Sequence, residues 1–424
     1  MKKIVLCLFS TLAVVACNNG SGSSTPATNS NPVVTFLTES NMPTSVTQCY
    51  DGASSFISNV SAVNNNGVMT GAIQANPESG CMQQDYIFGD NGNQLQVIPL
   101  LPSPSSNLQI TGARTAAIST NLITTGITFA SDGSPSPYEV ATYNNYLTPY
   151  QISDANYMIG ISENGTFTAG FNIGGQPTLF NTLLAQSYNL TFNGSPMSDT
   201  MLTGVSNVGI AAGSMSQKSS SDAEDAFKSG ILCFATTKSC SYIVGGPSVS
   251  YDAYVNAISS NSKWIYGFAN NAGDTQLFNV NLDTFAVTPL EQGFDDVPNP
   301  IIQNNVVTDT GDLIIKSDGT GKLYLLVPSN LTASENNLYS IDDLAAKLNL
   351  PDNVSLEDAY LSPNGNYIAF DVVDYGDANL FGVKIYFPNG IANYVSANLT
   401  PLTTNKILYK NHSSSWFRGQ HVVK

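Results

Sequence analysis

Acidic side chains dominate the chemistry available to this chain. It has 31 Asp and Glu against 15 Lys and Arg, and only two histidines. His412 and His421 both lie in the C-terminal tail. A Ser-His-Asp site needs a histidine held by surrounding structure, so neither a triad nor a histidine-based metal site is expected. Carboxylates remain, and a pair of them cleaves glycosidic bonds when the two flank the scissile oxygen. The groups to consider are Asp222, Glu224 and Asp225, then Asp295 and Asp296, then Asp371, Asp374 and Asp377. Their spacing marks no facing pair, so no catalytic residue is assigned. Asp371, Asp374 and Asp377 are also the candidate metal ligands, because calcium takes carboxylate oxygens. Ser317-Asp-Gly-Thr-Gly321 offers similar oxygens. Neither segment has the spacing of an EF-hand loop, and Asp-Gly pairs are ordinary turns between strands. No cofactor is expected; calcium is the one the residues suggest.

Tyr and Phe are numerous, 20 and 19. Most belong to strands. Tyr143, Tyr146 and Tyr150, in a loop-like stretch around Pro149, are the least core-like and are the candidate binding residues. Four of the six cysteines, Cys49, Cys81, Cys233 and Cys240, lie beyond the N-terminal leader. An even number fits disulfides in an oxidising compartment, and no paired zinc spacing competes. Cys233 and Cys240 flank what reads as two short strands and a turn, so a bridge across a hairpin is expected there. Cys49–Cys81 would close the other loop.

The N-terminus gives an address. Met1-Lys2-Lys3 precedes the apolar run Ile4–Leu12 and then Val14-Val-Ala-Cys17. A basic start, a short apolar stretch and small residues form a secretory signal. The apolar run is shorter than the ~20 residues a membrane-spanning helix needs. Val14-Val-Ala-Cys17 resembles a lipobox. The resemblance implies that Cys17 carries a diacylglycerol thioether and heads the mature chain as an acylated membrane anchor. Asn at position 18, by analogy with sorting in Gram-negative cells, favours the outer membrane. The expected divisions are a signal peptide at 1–16 and a lipidated Cys with a polar tether at 17–32. A folded region at 33–410 and a tail at 411–424 follow.

Charged residues are 11% of the chain and the net charge is −16. Lys and Arg are scattered, which excludes nucleic acid as a partner. Asn, Ser, Thr and Gly replace charge, and these favour turns and strands over helices. An all-β fold is expected.

A short pattern recurs along it: an apolar residue, Ser, Thr or Asn, two variable residues, often Gly, then an apolar or β-branched run, often closed by Gly. Clear copies are Ile161-Ser-Glu-Asn-Gly-Thr-Phe-Thr-Ala-Gly170 and Leu361-Ser-Pro-Asn-Gly-Asn-Tyr-Ile-Ala-Phe370. Anchors at 63, 118, 161, 205, 258, 307 and 361 lie 43 to 55 residues apart and make seven units. A tight turn is expected after each anchor, and where Asn-Gly stands there it supplies the positive φ that hairpin turns require. Further apolar runs follow, such as Gln276–Val280, Leu323–Val327 and Val383–Phe387, then a fourth segment such as Ala286–Leu290. Four strands in such a period are one blade of a β-propeller, so a seven-bladed ring is expected. Val33–Leu37 is a strand ahead of the first unit and Lys406–Lys410 one after the last. We expect the N-terminal one to close the ring, removing an open edge.

These units resemble HAF-type repeat proteins and autotransporter passenger repeats, and more distantly TolB-type, WD40-like propellers. The best local match runs from Ile341-Asp-Asp-Leu-Ala-Ala-Lys-Leu-Asn-Leu350 to Leu356-Glu-Asp-Ala-Tyr-Leu-Ser-Pro-Asn-Gly365. Its first part reads as a short helix with Ser340 and Asp343 as a capping box. The resemblance implies an extracytoplasmic propeller and supplies no catalytic residues. The expected function is a membrane-anchored binding or scaffold module for an envelope protein or glycan. The alternative is a carboxylate-dependent hydrolase or lyase acting on a glycan at the channel.

Overall fold

The computed structural model describes residues 31–42, 57–74, 84–89, 94–98, 110–130, 139–143, 145–152, 157–172, 174–218, 226–245, 251–271, 274–290, 297, 300–328, 336–374 and 380–402. The unit beginning at Pro32 is built from strands rich in Val, Ile, Tyr and Phe, the residues that fit a pleated surface. The strands form six four-stranded sheets and one six-stranded sheet.

In chain order, sheet 1 holds β2 (Ile57–Val63), β3 (Met69–Gln74), β4 (Gln84–Phe88) and β5 (Leu95–Ile98). Sheet 2 holds β6 (Ile110–Ile118), β7 (Thr124–Ala130), β8 (Glu139–Tyr143) and β9 (Asn145–Ile152). Sheet 3 holds β10 (Tyr157–Ile161), β11 (Phe167–Phe171), β12 (Pro177–Asn181) and β13 (Gln186–Tyr188). Sheet 4 holds β16 (Thr200–Val205), β17 (Ile210–Lys218), β18 (Ala226–Phe234) and β19 (Ser239–Val244). A preceding hairpin, β14 (Thr191–Phe192) and β15 (Ser195–Pro196), adds to its outer edge, β14 parallel to β19. Sheet 5 holds β20 (Asp252–Ile258), β21 (Ile265–Asn271), β22 (Asp274–Val280) and β23 (Val287–Pro289). Sheet 6 holds β24 (Pro300–Val307), β25 (Leu313–Ser317), β26 (Leu323–Pro328) and β27 (Asn336–Ser340). Sheet 7 holds β28 (Val354–Leu361), β29 (Tyr367–Asp374) and β30 (Leu380–Tyr386), and its fourth strand is β1 (Val33–Thr38).

Each sheet packs on the next. β3 meets β6, β7 meets β10, β11 meets β16, β18 meets β20, β21 meets β24 and β25 meets β28. The circle closes where β2 meets β28 and β29. Apolar clusters fill the gaps. Phe370, Ile368, Leu325 and Ile314 pack between sheets 6 and 7, and Tyr86, Phe88, Leu37 and Phe381 between sheets 7 and 1. A single sheet cannot bury both of its faces; stacking in a ring does so. This is an all-β chain with a β-propeller arrangement.

The N-terminal strand makes the closure. β1 lies antiparallel to β30, pairing Val33 with Tyr386 and Leu37 with Gly382. Lys406–Lys410 lies outside the described residues. Among the described residues, two short α-helices, α1 (Ile341–Lys347) and α2 (Ile391–Asn398), and a 3-10 turn at Glu39–Asn41 complete the unit. Ser340 caps α1, its Oγ accepting from Asp343 N at 3.3 Å.

Candidate functional site

The first two strands of every sheet are joined by the same turn. Its first residue is Asn64, Ser119, Ser162, Ser206, Ser259, Thr308 or Ser362, and all seven are buried. Each side-chain oxygen accepts from a backbone N–H four or five residues on. Ile123 N donates to Ser119 Oγ at 3.0 Å, Trp264 N to Ser259 Oγ at 3.0 Å and Asp312 N to Thr308 Oγ1 at 2.8 Å. The residue three positions on takes positive φ in every copy: Gly67, Leu122, Gly165, Gly209, Ser262, Gly311 and Gly365. Short polar side chains bonding their own turn are why Ser, Thr and Asn recur here.

The turns fasten to one another around the circle. Asn64 Nδ2 donates to Ser119 O at 2.8 Å, Thr120 N to Glu163 O at 2.9 Å and Asn164 N to Asn207 Oδ1 at 3.0 Å. Asn207 N donates to Ser260 O at 3.0 Å, Ser260 Oγ to Asp309 Oδ1 at 2.6 Å and Asp309 N to Pro363 O at 2.9 Å. Asn364 N donates to Asn65 Oδ1 at 2.7 Å and completes the ring.

Inside this ring lies a cavity of about 140 Å³, lined by the inner strands of all seven sheets. Each inner strand carries a register irregularity below its turn, for example at Val60/Ala62, Met158/Gly160 and Leu202/Gly204. Such bulges re-aim a side chain, and the extra residues Ser61, Ile159 and Thr203 all face the cavity. Among the described residues, Glu163 is the one carboxylate in the lining. Its Oε1 accepts from Thr120 Oγ1 at 2.7 Å and from Asn65 Nδ2 at 2.9 Å, and its Oε2 from Asn207 Nδ2 at 3.3 Å.

A second polar group sits where sheets 6, 7 and 1 meet. Lys316 Nζ forms an ion pair with Asp358 Oδ1 at 3.0 Å and donates to Glu357 O at 3.2 Å. Gln303, which lines the cavity, also donates to Asp358. Asp371 lies opposite Asp358 in register, and its Oδ1 accepts from Val60 N at 3.4 Å. Burial pushes the Asp371 carboxyl up to about 7; the charges of Asp358 and Glu357 add to this, while the N–H groups of Val60 and Val372 oppose it. Across the same sheet 7 to sheet 1 junction, Lys384 Nζ donates to Gly67 O at 2.6 Å and lies over the Phe88 ring. Burial lowers this amine to about 8.

The candidates named from sequence fare differently. Cys233 and Cys240 pair directly across β18 and β19 and form the expected disulfide. Cys17, Cys49 and Cys81 lie outside the described residues, as do Asp222, Glu224, Asp225, Asp295, Asp296, Asp377, His412 and His421. Asp371 is in the middle of β29 and Asp374 at its end, where only the backbone is described. Among the described residues, no three His, Cys, Asp or Glu are grouped to hold a metal ion. Ser317–Gly321 is a turn closed by Gly321 N donating to Ser317 O at 2.7 Å. The loop expected around Pro149 is corrected. Tyr143 ends β8, and Tyr146 and Tyr150 lie in β9, with Tyr143 paired to Asn145. Tyr favours strands, and Pro149 is tolerated because β9 is an edge strand. The side chains of these three tyrosines lie outside the description. Sequence reasoning missed Glu163, Glu357 and Asp358. The Glu-Asn-Gly of the third repeat marks Glu163 as a turn residue, but nothing local shows that it spans three turns.

No protein-family model matches the chain, and no curated protein matches it. Several solved structures are similar at low identity. The propeller domain of the Trilobed protease from Pyrococcus furiosus is 9% identical, over 84% of this chain and 98% of that one, with a TM-score of 0.45. The tricorn protease is 10% identical over 84% of this chain, with a TM-score of 0.44; this chain spans 36% of that chain's length. A putative TolB from Agrobacterium tumefaciens is 15% identical over 56% of this chain and 92% of that one, with a TM-score of 0.34. The β-propeller arrangement stands on the circle of sheets and the ring of turns in this chain.

Proposed function

We propose that the chain is a lipid-anchored protein of the bacterial envelope, tethered through Cys17, whose seven sheets are the blades of a seven-bladed propeller. It acts as a rigid binding scaffold for an envelope protein or glycan. The observation that carries this reading is the saturation of Glu163. This carboxylate, in the cavity lining at the channel mouth, accepts three hydrogen bonds that hold the turns of sheets 1, 2, 3 and 4 together. A general acid needs a proton to exchange with substrate, and this group is committed to fastening the mouth.

A specific observation favours the carboxylate-dependent hydrolase as a second reading. Asp371, held near neutral pH by burial, faces Asp358 beside the cavity-lining Gln303. One experiment separates the two. Envelope glycans incubated with the wild-type chain and with Asp358→Asn and Asp371→Asn are assayed for released sugar ends and for retention on the protein. Retention without release, unchanged in both variants, supports the scaffold. Release that both variants abolish overturns it.

A further inference from the structure

The ring of turns defines one end of the channel, and the four most exposed large apolar side chains of the described residues, Leu183, Leu184, Val208 and Val33, lie at that end, while the less exposed Met201 and Val373 lie at the other. Strand reversal returns the turn between third and fourth strands to the same face as the first turn. Thr182 N accordingly donates to Thr166 O, and Ala235 N to Gly209 O, both at 2.9 Å. Leu183 (73% exposed) and Leu184 (66%) occupy the β12–β13 turn, and Val208 (60%) the first turn of the adjacent sheet. β1 starts at this face too. Val33 pairs with Tyr386, and the next residue, Phe387, donates through its N–H to Asn366 O in the sheet 7 turn at 2.7 Å.

Charge divides in the same sense. Lys238 and Lys263 are exposed on the turn face with Asp283. At the opposite ends of the strands stand the exposed Asp199, Asp318, Asp342, Asp343 and Asp352, against Lys322 and Lys347. Among the described residues the exposed charges of the turn face are thus two amines and one carboxylate, with Glu163 and Asp309 half-buried in the turns, whereas the far face carries a surplus of exposed carboxylates.

We propose that the turn face docks on a lipid surface, with Leu183, Leu184 and Val208 at the headgroup boundary. This rests on the lipid-anchored reading. The segment that follows Cys17 leads into the folded unit at Val33, and β1 begins there on the face that carries the apolar tips. Short apolar side chains on separate turns, flanked by lysines, fit the boundary between phosphate and acyl chain. The acidic face points away from the membrane and stays open to a partner.

The test uses the full chain on vesicles of phosphatidylethanolamine and phosphatidylcholine with brominated acyl chains, which quench tryptophan on contact. Leu184→Trp places a probe on the turn face and Thr320→Trp one on the far face; both positions are exposed. Emission is read as the difference from wild type, which subtracts the signal of both native tryptophans, the buried Trp264 and Trp416 of the tail. The expected result is loss of most of the added emission, with a blue shift, for Leu184→Trp and no loss for Thr320→Trp. Equal quenching of the two, or none at 184 while the chain is on the vesicle, overturns the proposal. Palmitate incorporation is measured on the same samples. A chain without lipid refutes the anchor, and quenching of its Leu184→Trp form on excess vesicles still decides whether the face docks.

Discussion

The indole of Trp264 in sheet 5 lies on Gly311, the turn glycine of sheet 6. A Cβ built on Gly311 would come within 2.6 Å of the ring. Phe167 covers Gly209 of the next sheet in the same way, and Tyr367 covers Gly67 across the closure. The large residue that opens a second strand is thus the lid on its neighbour's turn. Gly311 also has φ +94°. Gly311→Ala should destabilise by ~3 kcal/mol, combining backbone strain with overpacking. Gly321, with φ +70° and no neighbour within 4 Å, supplies the comparison. Gly321→Ala should cost only the strain, ~1 kcal/mol. Equal losses in denaturant unfolding would show that the lid contributes nothing.

The capping residues make a second prediction. Ser362 Oγ accepts from Tyr367 N at 2.9 Å and donates to Asn364 Oδ1 at 2.7 Å in a fully buried site. Ser362→Ala leaves that N–H without its side-chain acceptor and should cost ~2 kcal/mol. The exposed Thr320→Ala should fall within ~0.5 kcal/mol of wild type. Thermal unfolding of the two variants checks this.

Ring closure makes a third. Leu37 of β1 is fully buried among Val60, Phe381 and Tyr86. Removing 33–38 exposes the edge of β30 and should abolish cooperative unfolding or cause aggregation. Removing 18–31 should leave the midpoint unchanged. Leu37→Ala should lie between, at ~3 kcal/mol.

Stability at the same junction should depend on pH in two opposed ways. The Asp371 carboxyl is raised in the folded state to about 7. Its protonated form is favoured by folding, so its contribution is full below the ordinary carboxyl range and is lost as pH rises through about 7. Lys384 is lowered to about 8. Its charge is disfavoured by folding, so stability increases as pH rises from there towards the ordinary lysine value. Asp371→Asn should flatten the acid-side slope in urea titrations between pH 4 and 7 and leave the alkaline slope in place. An unchanged acid-side slope would refute the assignment.

Much of the fold is legible because each turn encodes itself locally. A small oxygen-bearing residue, a left-handed position three later and an apolar or aromatic residue one or two positions beyond that recur at seven places. Two copies hide the left-handed position behind Leu122 and Ser262, and these are the degenerate repeats. The β14–β15 hairpin and α2 escape because they stand outside the period. The sequence marks Asp371 as a candidate but does not show that it joins Gln303, Lys316 and Asp358. This polar group joins three sheets, and Val60 reaches Asp371 across 311 positions of sequence. A single sequence shows which residues share a turn, but not which sheets become neighbours when the ring closes.

The central claim, a ring held at the envelope by lipid on Cys17, is tested most directly by growing cells with alkyne-palmitate and reading label on the purified chain. Label on the wild type, retained with the membrane fraction and lost in Cys17→Ala, is the predicted result. An unlabelled wild-type chain that leaves the membrane fraction in the same way as Cys17→Ala would contradict the account.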